Sequence, residues 1–165
     1  ILYGIGPFGL KTRLGITQYH AKEIIETYFN TFKRVKFFMD DSIAKAQEKG
    51  YAETILGRRR ILRNINSSKR FVRQFEERVD INMPIQGTAA DMIKLAMINI
   101  HKALKKNNFR SKMVLQVHDE LLFDAHKDEI NELTPLIKEL METALPMDVP
   151  IVAETGTGEN WLDAH

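Results

Sequence analysis

The chain contains no cysteine, which excludes disulfides and thiolate metal sites. It has no apolar run long enough to span a bilayer and no signal-peptide pattern, so a soluble, cytoplasmic protein with no membrane partner is expected. It also lacks an initiating methionine: it opens on Ile1-Leu2-Tyr3 with no helix start signal, as if cut inside an element, and a fragment of a longer chain is expected. Internal repeats and low-complexity tracts are absent. Between Ile55 and Phe75 there is no acidic residue, yet Arg58, Arg59, Arg60, Arg63, Lys69, Arg70 and Arg73 stand there. After His126 the balance reverses, with nine acidic residues against Lys127 and Lys138. A net charge of only +2 therefore conceals a basic lobe and an acidic one, and an arginine-rich block without interleaved acid suits a polyanion.

What is present is enough for a core: 165 residues with 44% hydrophobic side chains make one ordinary domain or a large piece of one. Gly6, Pro7, Gly9 and Gly15 allow only a short, broken helix over residues 5–16. Thr17 is a good N-cap for a helix in which Ile24, Ile25, Tyr28, Phe29 and Phe32 recur at helical spacing. A second run, Val35, Phe38, Met39, Ile43 and Ala46, closes at Gly50. The aromatics of both runs are expected in the core. Tyr51–Ile55 and Arg59–Leu62 read as a hairpin around Leu56-Gly57-Arg58, which makes its returning strand arginine-rich. Ser67 or Ser68 can cap a helix to about Ile81. Pro84 then either starts a new helix or kinks a continuous one, along a stripe of Ile85, Ala89, Ile93, Ala96, Ile100 and Leu104. Beyond it the pattern predicts a hairpin over 113–124, a helix from Ile130 to Ala144, a strand near Val149–Glu154, and Trp161 tucked into a groove. Helices first, then helices mixed with strands, predict an α+β fold.

Two groups of residues point to chemistry. Met113–Val117 and Glu120–Asp124 are β-prone runs flanking His118-Asp119, so carboxylates stand at a hairpin tip. Carboxylate oxygens suit Mg²⁺, which takes one or two of them with waters and substrate phosphates; Asp119 is equally readable as a turn former. Arg78, Asn82 and Gln86 are spaced four apart, which keeps three hydrogen-bonding side chains near one helix face. The row ends in a patch of small residues, Gly87-Thr88-Ala89-Ala90, where a backbone or ligand can approach closely.

Together these segments resemble DNA polymerase family A, the bacterial DNA polymerase I type. The resemblance rests on Tyr3-Gly4-Ile5-Gly6-Pro7-Phe8-Gly9-Leu10, on Asp80–Asp91 around Pro84-Ile85-Gln86-Gly87-Thr88, and on Val114-Leu115-Gln116-Val117-His118-Asp119-Glu120. Thr54–Arg60 and the closing Gly158-Glu159-Asn160-Trp161 also fit, and the five segments stand in the family's order. The resemblance implies a helical fingers subdomain, about residues 1–66, and a palm portion, about 67–165, holding a minor-groove helix and a short antiparallel sheet with the catalytic hairpin. It implies a DNA-directed DNA polymerase of replication and repair, working with primer–template DNA, deoxynucleoside triphosphates and two Mg²⁺ ions. Asp119 would be a metal ligand and Glu120 an auxiliary carboxylate. His118 would lie near the primer terminus, and Tyr3 and Gly4 beside the templating base. Arg78, Asn82 and Gln86 would line the minor groove, and Arg58, Arg59 and Arg60 would touch DNA phosphates.

The family's upstream catalytic aspartate, and the lysine and phenylalanine of its finger helix, have no counterpart in these residues. The chain by itself is thus expected to be inactive, not to retain the metal ions and to self-associate, whereas the parent enzyme would be a monomer of the bacterial nucleoid. The alternatives are a non-catalytic DNA-binding fragment and, less well matched, a metal-dependent phosphohydrolase, for which the other histidines lack compatible spacing.

Overall fold

Thr17 and Gly50 bracket the first helical region as their chemistry dictates. The computed structural model describes residues 1–164. The elements are α1 (Pro7–Leu14), α2 (Gln18–Thr31), α3 (Lys33–Lys49), β1 (Tyr51–Glu53), β2 (Arg59–Ile61), α4 (Arg70–Lys106), β3 (Lys112–Val117), β4 (Glu120–Asp124), α5 (Ile130–Glu142) and α6 (Trp161–Ala164). The α+β expectation is met: long helices accompany two separate two-stranded antiparallel sheets, β1–β2 and β3–β4. No helix among the described residues is long and apolar enough to cross a membrane. The chain divides into two compact units, the first ending at Thr88 and the second starting at Ala89.

In the first unit, Thr17 Oγ1 accepts a hydrogen bond from the His20 N–H at 3.2 Å, one of the orphan donors at the start of α2. Gly50 ends α3 in the left-handed region, at φ 77°. Glycines did not break α1: Pro7 occupies its first turn, where its missing N–H costs nothing, and the helix runs unbroken for eight residues. Ala46, Ala52, Leu62 and Ile65 form the core, with Val79 and Met83 packed on it.

The expectation that the aromatics are core is corrected. Tyr28 and Phe29 are only partly buried, and Phe32 and Phe38 are exposed. Apart from Ala21, Met39 and Ala46, no residue of α2 and α3 is fully buried. Tyr28 packs instead on Phe29 and Phe32, with ring centroids 5.4 and 5.0 Å apart.

Pro84 does not divide α4, which is continuous over 37 residues. The proline deprives the Asp80 carbonyl of its usual donor. Tertiary packing of Val79 and Met83, in the helix just before it, sustains the helix there.

The apolar stripe of α4 is buried only in its later part, at Ala96, Ile100 and Leu104 of the second unit, whereas Ile85 and Ala89 are exposed. Leu133, Ile137 and Ala144 complete that core, with Leu121 and Phe123 packed on it from alternate positions of β4. Residues 149–154 form no strand. Their burial still alternates, Ala153 inward and Val152 and Glu154 outward, but no ladder partner adjoins them. Glu142 Oε1 accepts from the Ala153 N–H at 3.0 Å instead. Trp161 is not tucked away: it lies on α6 and is 47% exposed.

Candidate functional site

The first unit holds Tyr3, Gly4, Arg58, Arg59, Arg60, Arg78, Asn82 and Gln86; the second holds His118, Asp119 and Glu120. Because α4 is unbroken, the four-residue spacing of Arg78, Asn82 and Gln86 is realised on one helix. Arg78 and Asn82 are half-buried and Gln86 is exposed. The Asn82 Oδ1 is buried without a hydrogen-bond partner, a costly state for a polar atom.

The turn carrying Tyr3 and Gly4 rests on the first member of this row. Gly4 has φ +74°, and a Cβ there would lie 2.9 Å from Arg78 Cγ. Only glycine meets both demands, a left-handed backbone and a neighbour at that distance. Tyr3 itself is 55% exposed. The Arg78 guanidinium reaches to 6.0 Å from the Phe75 ring centroid, the outer limit of a cation–π contact.

The arginine hairpin pairs Tyr51 with Ile61, Ala52 with Arg60 and Glu53 with Arg59. It is shorter than the sequence predicts, because residues 54–58 close into a turn. Arg59 is engaged internally: its Nε donates to Glu53 Oε2 at 2.7 Å and its guanidinium lies 4.5 Å from the Tyr51 ring centroid. Arg58 and Arg60 are exposed. The turn is fastened to α4 two residues beyond Gln86, since the Ile55 N–H donates to Thr88 Oγ1 at 3.2 Å.

Asp80, between Arg78 and Asn82, carries a signal that the sequence did not reveal. It is 2% exposed, and its Oδ2 has no hydrogen-bond partner. Burial pushes its carboxyl up to about 6. Only its apolar neighbours Val79 and Ile81 hinted that Asp80 lies on a stretch of helix packed into the protein.

In the second unit, β3 and β4 meet in a two-residue loop, His118-Asp119, with Val117 opposite Glu120. At the base of the hairpin the register pairs Lys112 with Asp124 and Met113 with Phe123; toward the tip it pairs Leu115 with Leu122, an irregularity at Val114. Carried on to the tip without that shift, the base register would set Val117 opposite Asp119 and leave one residue to turn the chain. The bulge thus creates the two-residue tip. His118 takes φ 53°, the sign a type II′ turn needs at its first central position. Gln116 Nε2 donates to the His118 carbonyl at 3.0 Å. Asp119 is exposed and Glu120 partly buried.

Glu129 anchors the base of this hairpin. Its Oε1 accepts from the Arg110 N–H at 2.9 Å, and its Oε2 accepts from the Ser111 N–H at 2.9 Å and the Ser111 hydroxyl at 2.6 Å. The His126 N–H in turn donates to Ser111 Oγ at 2.9 Å. These bonds, the Ser111 hydroxyl first, hold the Glu129 carboxyl down at about 2.

Among the described residues no three histidine or acidic side chains are grouped to hold a metal ion. Asp119 and Glu120 are hard oxygen donors on adjacent residues. They fit Mg²⁺ as part of a ligand set, because that ion needs one or two carboxylates and fills its other positions with water and phosphate.

Residues 1–163 match the model of DNA polymerase family A. The chain is 45% identical over 164 residues to DNA polymerase I of Streptococcus pneumoniae serotype 4, covering 99% of this chain and 19% of that protein. DNA polymerase I of Bacillus subtilis is 44% identical, and that of Geobacillus stearothermophilus 45%, with the same coverage. The chain therefore spans about a fifth of the length of these relatives. A solved structure of the POL domain of Pol1 from M. smegmatis, in complex with DNA primer-template and dNTP, superposes with a TM-score of 0.96 at 45% identity; the match covers 99% of this chain and 29% of that one. The chain belongs to DNA polymerase family A.

Proposed function

We propose that this chain is the part of a DNA polymerase that holds the primer–template duplex and supplies half of the metal-binding carboxylates for template-directed nucleotidyl transfer in replication and repair. The continuity of α4 through Pro84 carries this reading. It sets Arg78, Asn82 and Gln86 in one row, beside an arginine turn fastened at Thr88. The minor groove presents acceptors in a pattern common to A·T and T·A pairs. A row of donors there can test pairing geometry without reading sequence, as copying any template requires. Arg58, Arg59 and Arg60 would add phosphate contacts, which are blind to sequence and weakened by salt.

Tyr3 and Gly4 would border the templating base, and His118 the primer terminus. Asp119 would hold Mg²⁺, with Glu120 as an auxiliary carboxylate. When bound, two such ions would stabilise the attacking 3′-hydroxyl and the leaving pyrophosphate oxygens of an in-line displacement. The protein's own groups orient and neutralise more than they react. Residues up to about 66 would act as fingers and the remainder as palm. The likeness to the M. smegmatis polymerase domain, which holds DNA and dNTP, supports those two partners.

The polypeptide that contains this segment is expected to add the nucleotide dictated by the template to a primer in Mg²⁺. Residues 1–165 alone are expected to bind duplex and add nothing, since Asp119 then lacks its partner aspartate. Failure of the whole polypeptide to extend a primer would refute the proposal. Extension by the 165-residue chain would refute the division of the metal site.

A further inference from the structure

We propose that Thr54, Gly87 and Thr88 are positioning residues that lock the arginine turn to the minor-groove row, so that phosphate contacts and groove contacts engage the duplex as one rigid unit. This rests on the function proposed above and adds to it three residues with no assigned role in that function.

Thr88 and Thr54 are each 4% exposed, so their hydroxyls must find partners inside the protein. Thr88 Oγ1 donates to the Pro84 carbonyl at 2.5 Å. Such bonding to the preceding helical turn is common for threonine. The second contact is not local: the same oxygen accepts from the Ile55 N–H, 33 residues away, at 3.2 Å. Thr54 closes the turn on itself. Its N–H donates to the Arg58 carbonyl at 2.9 Å, its carbonyl accepts from the Gly57 N–H at 3.0 Å, and its Oγ1 accepts from the Arg58 N–H at 3.2 Å.

Gly87 completes the lock by absence. A Cβ there would lie 2.5 Å from Thr54 Cγ2, closer than real carbon atoms approach. The Thr54 methyl thus sits against bare helix backbone, one residue after Gln86. Arg58, in that turn, and Arg60, on β2 just after it, therefore stand on a hairpin held by the two α4 residues that follow Gln86. Presetting the geometry of two sets of contacts spares the ordering that each would otherwise need on binding.

The test measures equilibrium binding of a fluorescent primer–template duplex by the complete polymerase polypeptide bearing residues 1–165, from about 50 to 200 mM salt. Each phosphate contact contributes about 0.9 to the slope of log affinity against log salt. Thr88→Val, which keeps shape and loses the hydroxyl, is expected to flatten that slope by about one to two. Arg58→Ala with Arg60→Ala should flatten it equally. Thr88→Ser should restore the wild-type slope. Gly87→Ala should flatten it, and adding Thr54→Ser, which removes the clashing methyl, should recover it. A merely structural role would lower melting temperature and active fraction while leaving the slope intact. A folded Thr88→Val or Gly87→Ala protein with the wild-type slope would overturn the inference. A wild-type protein with no salt-dependent affinity for duplex would overturn the proposed function itself, and this inference with it.

Discussion

Gly4 faces the Arg78 side chain with no room for a Cβ: a single methyl added at Gly4 would stand 2.9 Å from Arg78 Cγ. The turn that presents Tyr3 therefore depends on where the first residue of the α4 row lies. Gly4→Ala should displace one or the other. The control is Gly15, also left-handed at φ +67° but with nothing within 4 Å of its missing Cβ. Both substitutions strain the backbone by about 1–2 kcal/mol. Only Gly4→Ala should slow nucleotide incorporation, by about ten-fold or more if a further 1.4 kcal/mol of transition-state stabilisation is lost. Equal effects of the two on primer extension would contradict the coupling.

Arg78→Ala should weaken duplex affinity or extension by about 1.5–3 kcal/mol, the range for a hydrogen bond to a charged donor. The loss should be similar on templates of different sequence, because the groove pattern that a donor meets there is degenerate. Binding measured on A·T-rich and G·C-rich primer ends checks this. A loss confined to one sequence would argue against a geometry check.

Asp80 predicts a pH dependence of stability. Its carboxyl titrates at about 6 in the fold against 3.8 in an open chain, so folding takes up a proton between those values. Stability therefore falls as pH rises from about 4 to 6, and the penalty is complete above 6. At about 1.4 kcal/mol per pH unit the cost is on the order of 2–3 kcal/mol. Asp80→Asn should stabilise the protein at pH 7.5 and lose that advantage near pH 4. Thermal melts at the two pH values decide, and an equal effect at both would refute the assignment.

Glu129 predicts the opposite sign. Its carboxyl lies at about 2, below its ordinary 4.5, so its contribution is present above about 4.5 and disappears as pH falls toward 2. Glu129→Ala should lower the melting temperature at neutral pH and loosen the base of the β3–β4 hairpin, seen as faster amide exchange at Arg110 and Ser111. The difference from wild type should close in acid. Unchanged exchange at those two amides would contradict the anchoring role.

Much of this was legible in the sequence where a local rule sufficed. Thr17 and Gly50 marked helix ends because capping chemistry is local. The apolar runs around His118-Asp119 marked a hairpin because strand alternation is local too. Pro84 could not be resolved, since the cost of a proline inside a helix is offset by packing at Val79 and Met83, and packing is invisible in a linear pattern. The alternation at 149–154 suggested a strand, but a strand also requires a neighbour. The bulge at Val114 was hidden because the register depends on both strands at once. Of the site, the residue types and their spacing were readable. The burial of Asp80, the Glu129 anchor and the fastening of the arginine turn at Thr88 were not, because each joins segments far apart in the chain.

The proposed metal ligation rests on Asp119, and primer extension by the complete polymerase bearing Asp119→Ala is its sharpest test, with duplex binding measured alongside. Loss of a metal ligand should reduce incorporation by about a thousand-fold or more, equivalent to about 4 kcal/mol, while duplex affinity stays within a few-fold of wild type. Incorporation at the wild-type rate by that variant would rule out Asp119 as a metal ligand.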